Sequence, residues 1–253
     1  MKNKNIRTKG ESGFTLIELV IVVVILSILS LVAMQSFTSR TERQRARATL
    51  AEMEMLKMAI VGDPDQIQNG IRVDFGYAGD VGDLPPDDDL TVLVSGSGGN
   101  WNGPYVETDF LDNPTDYLFD AYGERYIWNY ASMTIYSPGA DATVSIASSW
   151  NSLFNNSIKA IISDRNGYTP SAGDVGNISV FISLQNGGAV GSQGTPNVDV
   201  TGIATLTGVP IGNHILQGYH SAIGTGETVT YYLSVNPGSG TIIREVIFSS
   251  LPE

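Results

Sequence analysis

Glu18 is the ionisable group whose surroundings say most about chemistry. It lies within Phe14–Met34 (FTLIELVIVVVILSILSLVAM), 21 residues whose other polar members are Thr15, Ser27 and Ser30. A carboxylate in such a span costs a few kcal/mol or more unless it finds a partner. Leucine would anchor the chain equally well, so some function keeps the charge. The remaining reactive groups are sparse. His214 and His220 stand six residues apart on one predicted strand and face the same side, with no third metal ligand nearby. They read as structural or surface residues. Acid pairs such as Asp63/Asp65 and Asp87–Asp89 fall in predicted loops and do not specify the opposed carboxylates of a glycosidase. There is no G-x-S-x-G elbow, H-E-x-x-H helix, phosphate loop or dinucleotide fingerprint. These residues point away from an enzyme.

The element that carries Glu18 is a long helix. At about 1.5 Å per residue the 21-residue run matches a hydrocarbon core of roughly 30 Å. It is too long for a secretory h-region and lacks a small-x-small cleavage site after it. Ahead of it, Met1–Gly13 is short and basic, with Lys2, Lys4, Arg7 and Lys9 against Glu11. Behind it, Ser36–Ile60 has no Gly or Pro, and Met53, Leu56 and Ile60 recur at helical spacing. Gly62-Asp63-Pro64 predicts the end. No proline kinks this helix before Pro64, so any local melting is expected near Gln35–Ser36. Arg40, Arg43 and Arg47 share one helix face, suited either to lipid headgroups or to acidic patches on neighbouring subunits.

The string Lys9-Gly10-Glu11-Ser12-Gly13-Phe14-Thr15-Leu16-Ile17-Glu18, with its apolar continuation, resembles the start of type IV pilins and type II secretion pseudopilins. The resemblance implies cleavage between Gly13 and Phe14 by a prepilin peptidase, N-methylation of Phe14, and packing of the mature helices into a filament core. Cleavage would create an ammonium at Phe14. Paired with Glu18 of the next subunit, it would satisfy both buried charges and fix axial register, a pair whose disruption typically costs about 3–5 kcal/mol. Glu18 is thus the expected assembly residue.

Further motifs narrow the family. Trp101-Asn102-Gly103-Pro104-Tyr105, Asp120-Ala121-Tyr122-Gly123-Glu124-Arg125-Tyr126 and Ser137-Pro138-Gly139-Ala140-Asp141 follow in the order typical of major pseudopilins. That likeness implies a head in which the long helix lies on a small antiparallel sheet. It also implies calcium at the S-x-G-A-D loop, with Ser137 and Asp141 as matching positions. The usual glycine-rich, aspartate-bearing continuation is replaced here by Ala142-Thr143-Val144-Ser145-Ile146. Calcium takes six to eight oxygens, and Glu107, Asp109, Asp112, Asp116 and Asp120 offer further carboxylates. Asn69-Gly70 reads as a hairpin turn and Leu90–Val94 as a short strand.

From Ser145 the chain becomes rich in β-branched runs: Ile178–Leu184, Val198–Leu206, His214–His220, Val229–Val235 and Thr241–Phe248. Their spacing predicts an antiparallel β-sandwich. Gly202-Ile203-Ala204-Thr205-Leu206 followed by Val209-Pro210-Ile211-Gly212-Asn213-His214 resembles carboxypeptidase-regulatory-like, immunoglobulin-like modules. Trp150–Lys159 reads as linker plus first strand.

The expected architecture is therefore α+β. Residues 1–13 form a cleaved leader, 14–62 the long helix (14–34 transmembrane or filament core), 63–144 a pilin-like head, and 145–253 a β-sandwich.

Charge fits this division. The 253 residues carry a net charge of −12. Residues 1–57 hold nine basic and five acidic side chains, whereas 58–253 hold five basic and 21 acidic ones. Such a chain is unsuited to nucleic acid, which needs a basic face. The absence of cysteine excludes disulfides and thiolate metal sites.

The functional expectation is a structural subunit of a type IV pilus-like filament, a homo-oligomeric helix displaying the β-domain. It would be a single-pass prepilin in the bacterial inner membrane and then part of a cell-surface filament. Its partners would be the peptidase and the assembly platform and ATPase. The alternatives are a periplasmic pseudopilin of a type II secretion system and a membrane-tethered adhesin or binding module.

Overall fold

The computed structural model describes residues 15–96, 100–108, 113–184, 189–190, 198–224 and 226–251. It has two compact units, Met1–Arg47 and Ala48–Glu253. The mixed α+β class read from the sequence is what the fold shows.

Helix α1 runs Leu16–Val61 without interruption, continuous through Gln35–Ser36 where melting was expected. Its end is fixed by side chains that follow it. Arg72 Nη2 donates to the Val61 carbonyl (2.6 Å), and Asp74 accepts from the Asp63 N–H (2.8 Å). Strands β1 (Ile67–Gln68) and β2 (Ile71–Arg72) form the predicted hairpin. Its two-residue turn places Asn69 and Gly70 at φ 52° and 78°, the left-handed pair that a type I′ turn needs.

Helix α2 (Gly76–Val81) follows. The predicted strand at Leu90–Val94 is instead a 3₁₀ turn over Thr91–Leu93. Asp89 decides this: its Oδ1 accepts from the Thr91 N–H (2.9 Å), turning the backbone before a ladder can begin. Strands β3 (Ile127–Asn129), β4 (Thr134–Ser137) and β5 (Ala142–Ser145) make an antiparallel sheet. One core joins Met53, Leu56 and Ile60 of α1 to Phe75, Leu84, Leu93, Trp128 and Ile135.

Ser149 caps the short helix α3 (Trp150–Phe154), where the sequence predicts a linker. Strands β6 (Asn156–Asp164), β7 (Ile178–Leu184), β8 (Ala189–Val190), β9 (Ile203–Val209), β10 (Gly212–His220), β11 (Glu227–Val235) and β12 (Thr241–Phe248) then form two sheets, ordered β11-β10-β7-β8 and β12-β6-β9. All pairings are antiparallel except β6–β12, which runs parallel over eight register pairs. The alternating burial of β6 and β7 sends Ile158, Ile162, Val180 and Ile182 into a second core with Leu216, Leu233 and Phe248. A Cβ on Gly218 would stand 2.5 Å from Val246 Cγ1, so glycine permits the sheets' close approach there.

The β9–β10 turn links the two cores. Ile211, fully buried, belongs to the first core rather than the second, and its N–H donates to the Leu153 carbonyl (2.7 Å). The Gly238 N–H donates to Ser152 and the Ser157 N–H to Gly240, both at 2.8 Å.

Candidate functional site

The start of α1 is built by Thr15 and Glu18. The Glu18 N–H donates to Thr15 Oγ1 (3.4 Å), and Glu18 Oε2 accepts from the Thr15 N–H (3.4 Å) and hydroxyl (3.5 Å). This reciprocal arrangement is a capping box, which satisfies donors that a helix end leaves orphaned. Its signal, T-x-x-E ahead of an apolar run, is present in the sequence. The contacts are long, so they hold the carboxylate weakly. They also place a negative charge at the helix N-terminus, where the macrodipole favours it. Gly13 and Phe14, the expected cleavage pair, lie outside the described residues.

Beyond the cap, every large apolar side chain from Leu16 to Leu31 is at least 46 % exposed. Ser27 and Ser30 return their hydroxyls to the Val23 and Leu26 carbonyls (2.7 Å each), leaving no polar face. A helix apolar all round needs a covering from elsewhere. Among the described residues no helix is long and apolar enough to cross a membrane. The apolar stretch whose side chains are described, Leu16–Leu31, measures about 24 Å against a core of roughly 30 Å. Phe14, Val32 and Ala33, which complete the run read from the sequence, lie outside that stretch. Further on, Arg40, Arg43, Gln44 and Arg47 line one shallow groove on the helix surface.

The S-x-G-A-D loop is organised around Asp120. This buried carboxylate accepts from the N–H groups of Tyr122 and Glu124 on Oδ1 (2.9 Å each). Its Oδ2 accepts from the Ser137 hydroxyl (2.5 Å) and the Gly139 N–H (3.0 Å). Burial pushes its pKa up, but these four donors outweigh burial and hold it below the ordinary carboxylate value. Ser137 Oγ also accepts from the Ala140 N–H (3.1 Å), so the hydroxyl both donates and accepts within the loop. Asp141 is exposed, at φ 49°, and accepts from the Tyr136 hydroxyl (3.0 Å). Ser137 and Asp141 therefore have different partners, and donors rather than lone pairs converge on the loop's centre. That donor set does not fit calcium. Among the described residues no three His, Asp or Glu side chains are placed to hold a metal. Asp109 and Asp112 lie outside the described residues.

Helix α1 pins this loop from the side. Thr49, buried, accepts from the Ala121 N–H (3.2 Å), and the Tyr126 hydroxyl donates to Glu52 (2.7 Å). Burial first, then the Glu52 carboxylate, push the Tyr126 phenol far above its ordinary pKa.

Both histidines lie on the same side of β10, as their spacing predicted, and both are buried there. His220 Nε2 lies 2.7 Å from Asp174 Oδ2, and the Ala222 N–H donates to Nδ1 (3.2 Å). The second contact makes Nδ1 the acceptor and Nε2–H the donor. Neither nitrogen remains for a metal or a substrate. His214 Nε2 meets the Pro210 carbonyl (2.9 Å), while its Nδ1 is buried without a partner among the described residues. Burial pushes the His214 pKa down, against the Pro210 contact.

Residues 8–34 match the family model of the prokaryotic N-terminal methylation motif. No curated protein matches the chain. Among solved structures, part of the fold is similar to the TIE protein of Bacillus anthracis. The identity there is 16 %, with 37 % of this chain and 16 % of that chain covered at a TM-score of 0.27. Part of the fold is also similar to GBS52, the minor pilin of the Gram-positive pathogen Streptococcus agalactiae. Here the identity is 13 %, with 40 % of this chain and 47 % of that chain covered at a TM-score of 0.25. The chain thus spans less than half the length of either structure. The motif, the capping box at Thr15–Glu18 and the uncovered apolar helix occupy the same stretch, so the chain carries a prepilin-type N-terminus.

Proposed function

We propose that the chain is a structural subunit of a type IV pilus-like filament. A prepilin peptidase would cut between Gly13 and Phe14, Phe14 would be N-methylated, and the subunit would pass from the inner membrane into the filament. The platform and ATPase of such a machine would be its assembly partners. The carrying observation is the exposure of Leu16–Leu31 within the matched methylation motif. Burying one large aliphatic side chain is worth about 1.5–3 kcal/mol. A run of them left bare is stable only inside lipid or against other helices. In this reading Glu18 meets the Phe14 ammonium of an adjacent subunit, and the second core carries a displayed β-module.

Two measurements test the proposal. Intact mass of the mature chain should begin at N-methylated Phe14; a chain beginning at Met1 in the membrane would instead be a tethered module. Sheared surface filaments, imaged and peptide-mapped, should be dominated by this chain. Glu18→Ala should be processed yet fail to assemble, and normal filament yield in that variant would sink the assigned role.

A further inference from the structure

Taking the filament reading as its basis, we infer that the Arg40–Arg43–Arg47 face of one copy docks on an acidic–aromatic surface of a second copy, formed by Asp83, Asp87, Tyr130 and Trp150.

The basic side of this contact is a helix face. Arg40, Arg43 and Arg47 are exposed and recur at i, i+3 and i+7 around Gln44. Among the described residues none is ion-paired with these three. They are three of the ten basic side chains left once a leader of residues 1–13 is removed.

The acidic side is one contiguous surface. The Tyr130 hydroxyl donates to Asp83 Oδ1 (3.0 Å) and the Tyr130 N–H to Asp87 Oδ1 (2.9 Å). The Tyr130 ring lies 5.5 Å from that of Trp150, which is 40 % exposed and packs on Phe154 at 4.3 Å. Asp83 and Asp87 are exposed, and the contacts from Tyr130 fall on a single oxygen of each. Arg125, the nearby cation, reaches the Asp88 main-chain carbonyl (3.4 Å) rather than these carboxylates. Carboxylates framing open aromatic faces suit guanidinium groups, which pair with the former and stack on the latter.

Charge complementarity identifies the occupant. The surface offers only carboxylates and rings, and the chain's concentrated basic face is the one on α1. Two different patches that match each other form a heterologous contact, and such a contact propagates into an open assembly rather than closing as a dimer.

The absence of cysteine makes a direct test available. Arg43→Cys and Asp87→Cys, combined in the full chain, should give a disulfide-linked ladder extending beyond the dimer in sheared filaments. Each single variant should give monomer alone. In parallel, Arg43→Glu should lose filaments, and Arg43→Glu with Asp87→Arg should regain them. Wild-type-like filaments from the cysteine pair without a ladder would overturn the contact while leaving the filament reading intact. So would failed rescue accompanied by Arg43-dependent flotation on phosphatidylglycerol vesicles, which would assign the face to lipid. If the wild-type chain forms no filaments, the filament reading falls and this contact with it.

Discussion

Helix α1 has two ends in unlike surroundings. Near its C-terminus Met53 and Ile60 are fully buried and Leu56 is 3 % exposed, because β3–β5 and the loops around them close over that face. Near its N-terminus the residues are at least as apolar, yet Leu16 is 84 % exposed and Leu31 63 %. Both ends are helical although the N-terminal one is rich in Val and Ile, so secondary structure does not separate them. The pattern does: one end carries an apolar stripe with a polar back, the other is apolar on every side. A stripe is completed by the chain's own fold, whereas an all-round apolar helix requires other molecules.

The largest expected effect separates the ends directly. Ile60→Ala should cost about 2–5 kcal/mol in the unfolding of the full chain in detergent, through lost burial and the cavity left behind. Ile21→Ala should change that unfolding by less than about 0.5 kcal/mol while reducing filament yield. Equal effects would erase the distinction.

Next is the loop that α1 pins through Thr49 and Glu52. Asp120→Asn keeps the shape but turns an acceptor toward a donor, and should cost about 2–3 kcal/mol. Because the Asp120 carboxyl is held below its ordinary value, its stabilisation is present above the unfolded value near 4. It is lost as pH falls through the lower folded value. Added EDTA should leave the melting temperature unchanged, whereas a drop would restore calcium to this loop.

His214 extends the comparison to the second core. Its folded pKa lies below the unfolded 6.5, so the unfolded chain takes up protons first. Stability should therefore decline as pH is lowered from 6.5, well above the range in which Asp120 acts. His214→Phe should flatten that part of the profile, seen in melts between pH 7 and pH 5.

The smallest effect concerns the cap. Thr15→Val should destabilise the first turn of α1 by about 0.5–1 kcal/mol, visible as faster amide exchange at Leu16–Leu19. Unfolding of the Met53–Val61 end should be untouched.

Much of this fold was legible because it is local. Helical spacing marked Met53, Leu56 and Ile60, Asn69-Gly70 specified its hairpin, and alternation marked β7 and β12 to the residue. What escaped depends on partners distant in sequence or on single side chains. Asp89 turns Leu90–Val94 away from a strand by accepting from the Thr91 N–H and hydroxyl. Asp120 gathers Ser137 and Gly139 from a different strand turn, which no spacing rule announces. Strand direction is equally silent, since β12 would read the same whether parallel or antiparallel to β6. At the N-terminus the position of Glu18 is legible, whereas its contact with Thr15 depends on where the helix begins.

The parallel pairing of β6 and β12 has a mechanical consequence. Strand β6 starts at Asn156 and β12 ends at Phe248, and these two points lie at opposite ends of the paired strands. Tension between them slides one strand along the other and strains the rungs from Ser157–Thr241 to Asp164–Phe248 together. A hairpin pulled from its open end would instead release its rungs one after another.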